Sequence, residues 1–238
     1  MSALAGRHAL VTGGSRGIGR AIGESLAAAG ARVTLVARGA EAVKAAAGAV
    51  GALARGVACD VTDANAVGAL IARLASSEGG VPDILVNNAG LFPLAPLDVM
   101  DAAEFERTIR ANLVAPFFVL RALLPHMKQA GLGHVVTIGS VADRAIFAGN
   151  GAYSASKFGQ RAMQEVLRQE LRGTGVRSTL VSPAATDTPI WDPIDPDNAP
   201  GFPKRADMLR PADVADAVCW AVTRPSHVNV DEVRLSAS

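Results

Sequence analysis

His8-Ala-Leu-Val-Thr12-Gly-Gly-Ser-Arg-Gly-Ile-Gly19 decides the fold. The first five residues read as a strand apolar on both faces, and the glycines that follow open a helix. Glycines at 13, 17 and 19 permit a tight turn, close backbone approach to a diphosphate and close helix packing. The helix N-terminus adds amide donors and a positive dipole end. A lone glycine-rich turn is commonplace. Directly after a first strand, with β-α alternation behind it, the segment reads as a dinucleotide-binding loop in which Gly13, Ser15, Arg16, Gly17, Ile18 and Gly19 take part.

The rest of the chain repeats that alternation. Candidate strands are His8–Thr12, Arg32–Ala37, Arg55–Cys59, Ile84–Asn87, His134–Ile138, Arg177–Val181 and Val230–Leu235. Between them lie helical patterns. Val67, Leu70, Ile71 and Leu74 share one face, with Thr62 or Asp63 available as N-cap. Ala155, Phe158, Ala162 and Val166 mark a face of another helix. Pro211 suits a first helical position, followed by Asp213 and the apolar Val214, Val218, Ala221 and Val222. The fold class expected is α/β, one doubly wound parallel sheet of about seven strands with helices on both faces. Residues 1–238 form a single domain in this reading, and the proline- and aspartate-rich stretch 184–208 is a lid or disordered.

Composition narrows the function classes. The chain has 238 residues, of which half are apolar and 19% charged, and its formal charge is +1. That balance suits a well-buried domain and gives no electrostatic reason for nucleic-acid binding. Cys59 and Cys219 read as free thiols of a reducing compartment. No signal-peptide core is evident, and the longest uninterrupted apolar stretch, Leu113 to Leu120, is too short to span a bilayer. A soluble, cytoplasmic protein is expected. The four histidines lack metal-ligand spacing and there is no CxxC, so no metal is expected.

The nucleotide is chosen at the end of the second strand. An acid there would accept from a ribose 2′-hydroxyl and repel a 2′-phosphate. The strand ends instead in Ala37, then Arg38, and Arg16 could reach the same place; two guanidiniums suit a phosphate dianion. Glu41 is the rival, beyond the strand in a helix turn. NADP(H) is expected over NAD(H). Asp60 either accepts from the adenine amino group or caps the next helix, with Val61 beside it.

Tyr153-Ser-Ala-Ser-Lys157 places a phenol and an ammonium one helical turn apart, and the cation should ease loss of the phenol proton. Ser140 precedes it in Thr137-Ile-Gly-Ser140.

With the glycine loop, Asp60, Asn87-Asn-Ala-Gly90, Asn112, Ser140 and Tyr153-Ser-Ala-Ser-Lys157 in this order, the chain resembles the short-chain dehydrogenase/reductase family over nearly its whole length. The resemblance implies a Rossmann-type sheet and an active site at the strands' C-terminal ends. It implies a homodimer or homotetramer built partly on helices near residues 101–129 and 152–172. Asn87, Ala89 and Gly90 would lie along the cofactor, and Asn112 would disrupt the fourth helix and hold a relay water linked to Lys157. Where the family usually has Pro-Gly, this chain has Pro183-Ala184; Thr186 and Thr188 would hold the nicotinamide carboxamide and diphosphate. The activity implied is hydride transfer between NADP(H) and an alcohol or carbonyl, with Ser140 polarising, Tyr153 as general acid/base and Lys157 as its tuner. Non-catalytic NADP sensing and same-fold epimerisation or dehydration are the rival readings.

Val141, Trp191, Ile190, Ile194, Phe202, Phe92, Leu94 and Phe147 suggest an apolar substrate pocket. Arg144 either pairs with a substrate carboxylate or belongs to a structural ion pair.

Overall fold

A computed structural model describes residues 2–77 and 79–238. The β-branched runs become seven parallel strands: β1 (His8–Thr12), β2 (Arg32–Ala37), β3 (Ala54–Ala58), β4 (Ile84–Asn87), β5 (Gly133–Ile138), β6 (Val176–Pro183) and β7 (Glu232–Leu235). They pair in the order β3-β2-β1-β4-β5-β6-β7. The third strand starts and stops one residue earlier than expected. Its pairing with β2 runs from Val33–Ala54 to Ala37–Ala58, which leaves Cys59 beyond the ladder. The order reverses between β1 and β4, and there the loops leaving the strands diverge and open a crevice.

Alternate strand residues feed two cores. On one face Ala9, Val11, Val33 and Leu35 pack under α1 (Gly17–Ala28), α2 (Ala40–Val50) and α7 (Pro211–Val222). On the other, Leu10, Val36, Leu85 and Val135 pack under α3 (Ala64–Ala75), α5 (Ala115–Ala130) and α6 (Gly151–Glu170). Each fully buried large aliphatic side chain contributes about 1.5–3 kcal/mol relative to exposure. The faces predicted for α3 and α7 are buried as expected. Asp63, and not Thr62, caps α3, its Oδ1 accepting from the amides of Asn65 and Ala66 at 2.8 and 3.3 Å. Asp213 closes the first turn of α7 by accepting from the Arg210 amide at 2.8 Å.

On helix α6 the four apolar residues Ala155, Phe158, Ala162 and Val166 do share one face. Its apolar stripe faces outward, with Phe158 and Val166 exposed, while the buried side carries Ser156, Lys157, Gln160 and Gln164. Helix α4 (Ala102–Ile109) runs through a π-helical segment, Arg110–Val114, into α5. The continuous run of 29 residues is long and apolar enough to cross a membrane by length and composition. Val119, Leu123 and Met127, however, are core residues against the sheet, so its apolar content is that of a helix packed on strands. Cys59 and Cys219 are free and partly buried.

Two histidines lie inside the sheet near the strand starts. His8 bridges the Thr34 hydroxyl at 2.8 Å and the Gly80 carbonyl at 3.0 Å. His134 meets the Thr179 hydroxyl at 2.8 Å through Nε2; its Nδ1 has no partner among the described residues. Burial, reinforced by Arg177 and Arg7, holds the His134 ring down to about 3. The unfolded chain binds a proton near pH 6.5 that the folded ring refuses, so this contribution is complete above that pH. Stability then falls by up to about 1.4 kcal/mol per pH unit on acidification. His134→Gln should flatten the dependence of the denaturation midpoint between pH 6.5 and 4; an unchanged slope would contradict the assignment.

Candidate active site

A cleft of about 1490 Å3 runs along the C-terminal ends of the strands. At its β1 end Gly13 has a φ of +66°, and a Cβ there would stand 2.9 Å from the Ala89 Cα. Gly19 is tighter: a Cβ would come within 2.4 Å of the Gly13 carbonyl oxygen. Gly19 itself does not line the cleft; its role is the close packing of α1 beneath the loop. Ser15, Arg16, Gly17 and Ile18 do line it. Helix α1 begins without a side-chain cap and without an acid in its first turn, so its leading amides and dipole favour an anion. Asn88 locks the loop in place, its amide donating to the Thr12 carbonyl at 2.9 Å, while the Thr12 hydroxyl accepts from the Asn88 and Ala89 amides.

Arg38 lines the cleft at the end of β2, whereas Glu41, in the first turn of α2, does not. Asp60 lines it too, with Val61. Asp60 does not cap α3; its Oδ1 accepts from the Thr62 amide and hydroxyl at 2.9 and 2.8 Å, and these bonds, aided by Arg38, hold its carboxyl below the usual range.

Ser140, Tyr153 and Lys157 meet at the floor of the cleft. Ser140 caps a 3-10 turn, its hydroxyl accepting from the Ala142 amide at 3.1 Å. Lys157 is buried, donating to the Ile138 carbonyl and to Gln160 Oε1, each at 2.9 Å, and its Nζ lies 5.5 Å from the centre of the Tyr153 ring. The helical spacing thus brings the pair together, but the expected lowering of the phenol is overturned. Burial pushes Tyr153 up to about 12, against the opposing Ser140 hydroxyl and with help from the Asp143 charge. Burial also draws Lys157 down to about 8, opposed by Asp143. Asp143 is itself fully buried and accepts from the Ser182 hydroxyl at 2.5 Å.

Asn112 sits in the π-helical segment, as the resemblance implies, and is fully buried. Its Oδ1 accepts from the Leu91 amide at 2.7 Å, and its Nδ2 donates to the Leu91 carbonyl and the Ser156 hydroxyl at 2.9 and 3.0 Å. Ser156 in turn donates to the Tyr153 carbonyl at 2.6 Å. Both side-chain donors of Asn112 are therefore engaged, and a relay water has only the second lone pair of Oδ1 on that side chain.

Asn112, like Gly19, lies outside the cleft lining, and two further expected site residues, Asn87 and Arg144, face elsewhere. Asn87 is buried and outside the cleft lining, its amide pointing at the Pro116 carbonyl 3.4 Å away. Arg144 is also outside the lining; Asp143 at 2.7 Å and Glu232 of β7 at 2.5 Å hold its guanidinium in a structural ion pair. Ala89, Gly90, Val141, Pro183, Thr186, Thr188 and Trp191 all line the cleft. Ala184 stands where the family has glycine without needing a positive φ, and its amide donates to the Leu235 carbonyl at 2.9 Å.

Segment 184–208 is ordered by ion pairs. Arg205 reaches Asp187 at 2.6 Å and Asp192 at 2.7 Å, which pins its far limb to its near one. The Trp191 indole donates to the Thr186 carbonyl at 3.1 Å. Gln160, the acceptor for the buried ammonium, went unnoticed in the sequence. Its position three residues after Lys157, on the same helix face, is the signal that could have found it.

Residues 7–199 match the family model described as short chain dehydrogenase. The chain is 38% identical over 235 residues to a glycine betaine reductase of Emericella nidulans; the match takes in 97% of this chain but spans only 18% of that longer protein. It is 33% identical over 233 residues to an uncharacterised oxidoreductase of Staphylococcus aureus (strain MW2), covering 98% of each. A solved metagenomic short-chain oxidoreductase in complex with NADP aligns with a TM-score of 0.85 at 35% identity, across 100% of this chain and 99% of that one.

Proposed function

Because the chain belongs to the short chain dehydrogenase family, we propose that it interconverts a secondary alcohol and a ketone or other carbonyl compound with NADP(H). The observation that carries this reading is the convergence of Ser140, Tyr153 and Lys157 on one cleft with an uncapped, glycine-lined helix start. The residues present fit the dinucleotide. Gly13 and Gly17 leave room that side chains would fill, and the α1 amides await an anion. Arg16 and Arg38 line the place where a 2′-phosphate would lie, with no acid from the end of β2. Asp60, Val61, Ala89, Gly90, Pro183, Thr186 and Thr188 complete its cradle. NADP(H), when bound, gives or takes the hydride.

Ser140 donates to the substrate oxygen and polarises the carbonyl. Tyr153 hands its proton to that oxygen as negative charge develops, an interaction that strengthens towards the transition state. Lys157 holds positive charge beneath the ring, and Asn112 positions the Tyr153 turn and holds the relay water. Residues 184–208 act as the lid over the substrate. The free cysteines support a reducing compartment, the cytoplasm. The outward apolar stripe of α6 and the exposed Phe117 of α5 support assembly into a homodimer or homotetramer.

Four outcomes are expected. Tyr153→Phe should cut turnover by about 10²–10⁴-fold while NADPH still binds. In the native protein, alcohol oxidation needs the phenolate, scarce below about 12, so its rate should climb up to about tenfold per pH unit from neutrality; carbonyl reduction, which uses the protonated phenol, should not. Retained turnover in the variant would sink the assignment of the base. Arg38→Ala should weaken NADPH about 10–100-fold and leave NADH unchanged by calorimetry, since one or two charge-assisted bonds are lost; equal losses for both would reject the phosphate role. Sedimentation should give two or four chains, and Phe158→Asp with Val166→Asp should give one; a native monomer would refute the assembly.

A further inference from the structure

The cleft is charged at one end and aromatic at the other. Arg16, Arg38 and Asp60 belong to the glycine-loop end, as does Arg110, which donates to the Thr62 carbonyl at 3.0 Å. Arg107, a turn earlier on α4, is paired with Glu104. Past Ser140 and Tyr153 the character changes. Phe92 stands edge-on to Tyr153, ring centres 4.7 Å apart at 73°, and edge-on to Trp191 at 5.1 Å and 67°. Trp191 continues to Phe202 at 6.0 Å and 68°. Four rings therefore run in series from the proton donor out through segment 184–208, each fixing the tilt of the next.

Among the described residues, no free cation lines this wall. Arg144, the arginine nearest in sequence to Ser140, is held by Asp143 and Glu232 away from the cleft. The Lys157 ammonium is engaged below by Ile138 and Gln160. Among the described residues that line this end, the charged side chain left is Asp207, exposed at the outer edge. A carboxylate seated here would lose its water without gaining a partner, and would face Asp207. A cation, unlike an anion, would gain the negative faces of the rings as well as that exposed carboxylate, the latter weakened by solvent.

We infer that the substrate is a carbonyl compound without a carboxylate whose aryl, alkyl or ammonium group rests on Phe92, Trp191 and Phe202, and that these three rings set the specificity. The inference rests on the alcohol–carbonyl reading above. In reduction the carbonyl carbon gains a hydride from NADPH, which leaves as NADP+, and the oxygen gains the Tyr153 proton, so the corresponding alcohol departs.

The test follows NADPH oxidation with three probes of equal length: 4-phenylbutan-2-one, 2-oxo-4-phenylbutanoate and a trimethylammonium ketone. The neutral ketone and the ammonium ketone should each exceed the keto acid in kcat/KM by about tenfold or more, the range that pocket contacts supply. Preference for the keto acid overturns the inference and leaves the hydride-transfer reading intact. Turnover of none of them by folded, NADPH-binding protein overturns both. Phe202→Ala, at the partly exposed end of the row, should raise KM for the neutral ketone about tenfold with the NADPH Kd unchanged, and Trp191→Leu should do the same. An unchanged KM in both folded variants places the substrate elsewhere and rejects the aromatic seat.

Discussion

A buried ammonium governs the active half of this molecule. Lys157 cannot lie inside the protein unless its charge is met by oxygen atoms, and the Ile138 carbonyl and Gln160 supply them. That demand turns α6 with its polar edge inward, where Gln164 also accepts from the Thr137 hydroxyl at 2.9 Å and Ser156 meets Asn112. Tyr153 rides on the same helix, one turn away. Its place over the end of β5 beside Ser140 follows from how the lysine is satisfied. The apolar stripe on the opposite side of α6 is left outward for the same reason.

The electrostatics of the tyrosine come from competing terms of different range. The Ser140 hydroxyl favours the phenolate, but the phenol is partly buried, and desolvation of the charged form is the larger effect. Asp143 adds to it from below, held in place by Ser182 and Arg144. A phenol kept protonated at neutral pH is matched to giving a proton to a carbonyl oxygen. The same burial that raises the phenol lowers the lysine, so the two groups are driven apart on the pH scale.

The sheet order explains why one cleft holds both functions. Where the order reverses between β1 and β4, the loops after β1, β2 and β3 go one way and those after β4, β5 and β6 the other. The first set offers backbone amides and arginines; the second offers Ser140, Tyr153 and a row of aromatic rings. Segment 184–208, tied across itself by Arg205, brings Trp191 and Phe202 over the second set.

Local signals determined much of this from the sequence alone. Apolar runs placed seven strands to within a residue or two, apart from the longer β6 and the later start of β7. The glycine spacing marked the loop, and Arg38 after Ala37 marked the basic end of the cleft, because strand burial, turn geometry and helix starts are short-range properties. Ser140, Tyr153, Lys157 and Asn112 were legible through order and spacing. The tertiary structure alone decided what depends on contacts far apart in the chain. Arg144 was captured by Glu232, some ninety residues later. Asn87 turned to Pro116 while its neighbour Asn88 took the loop. The outer face of α6 and the height of the tyrosine's proton affinity were settled by burial, which no local pattern records because it is the sum of every element packed around one atom.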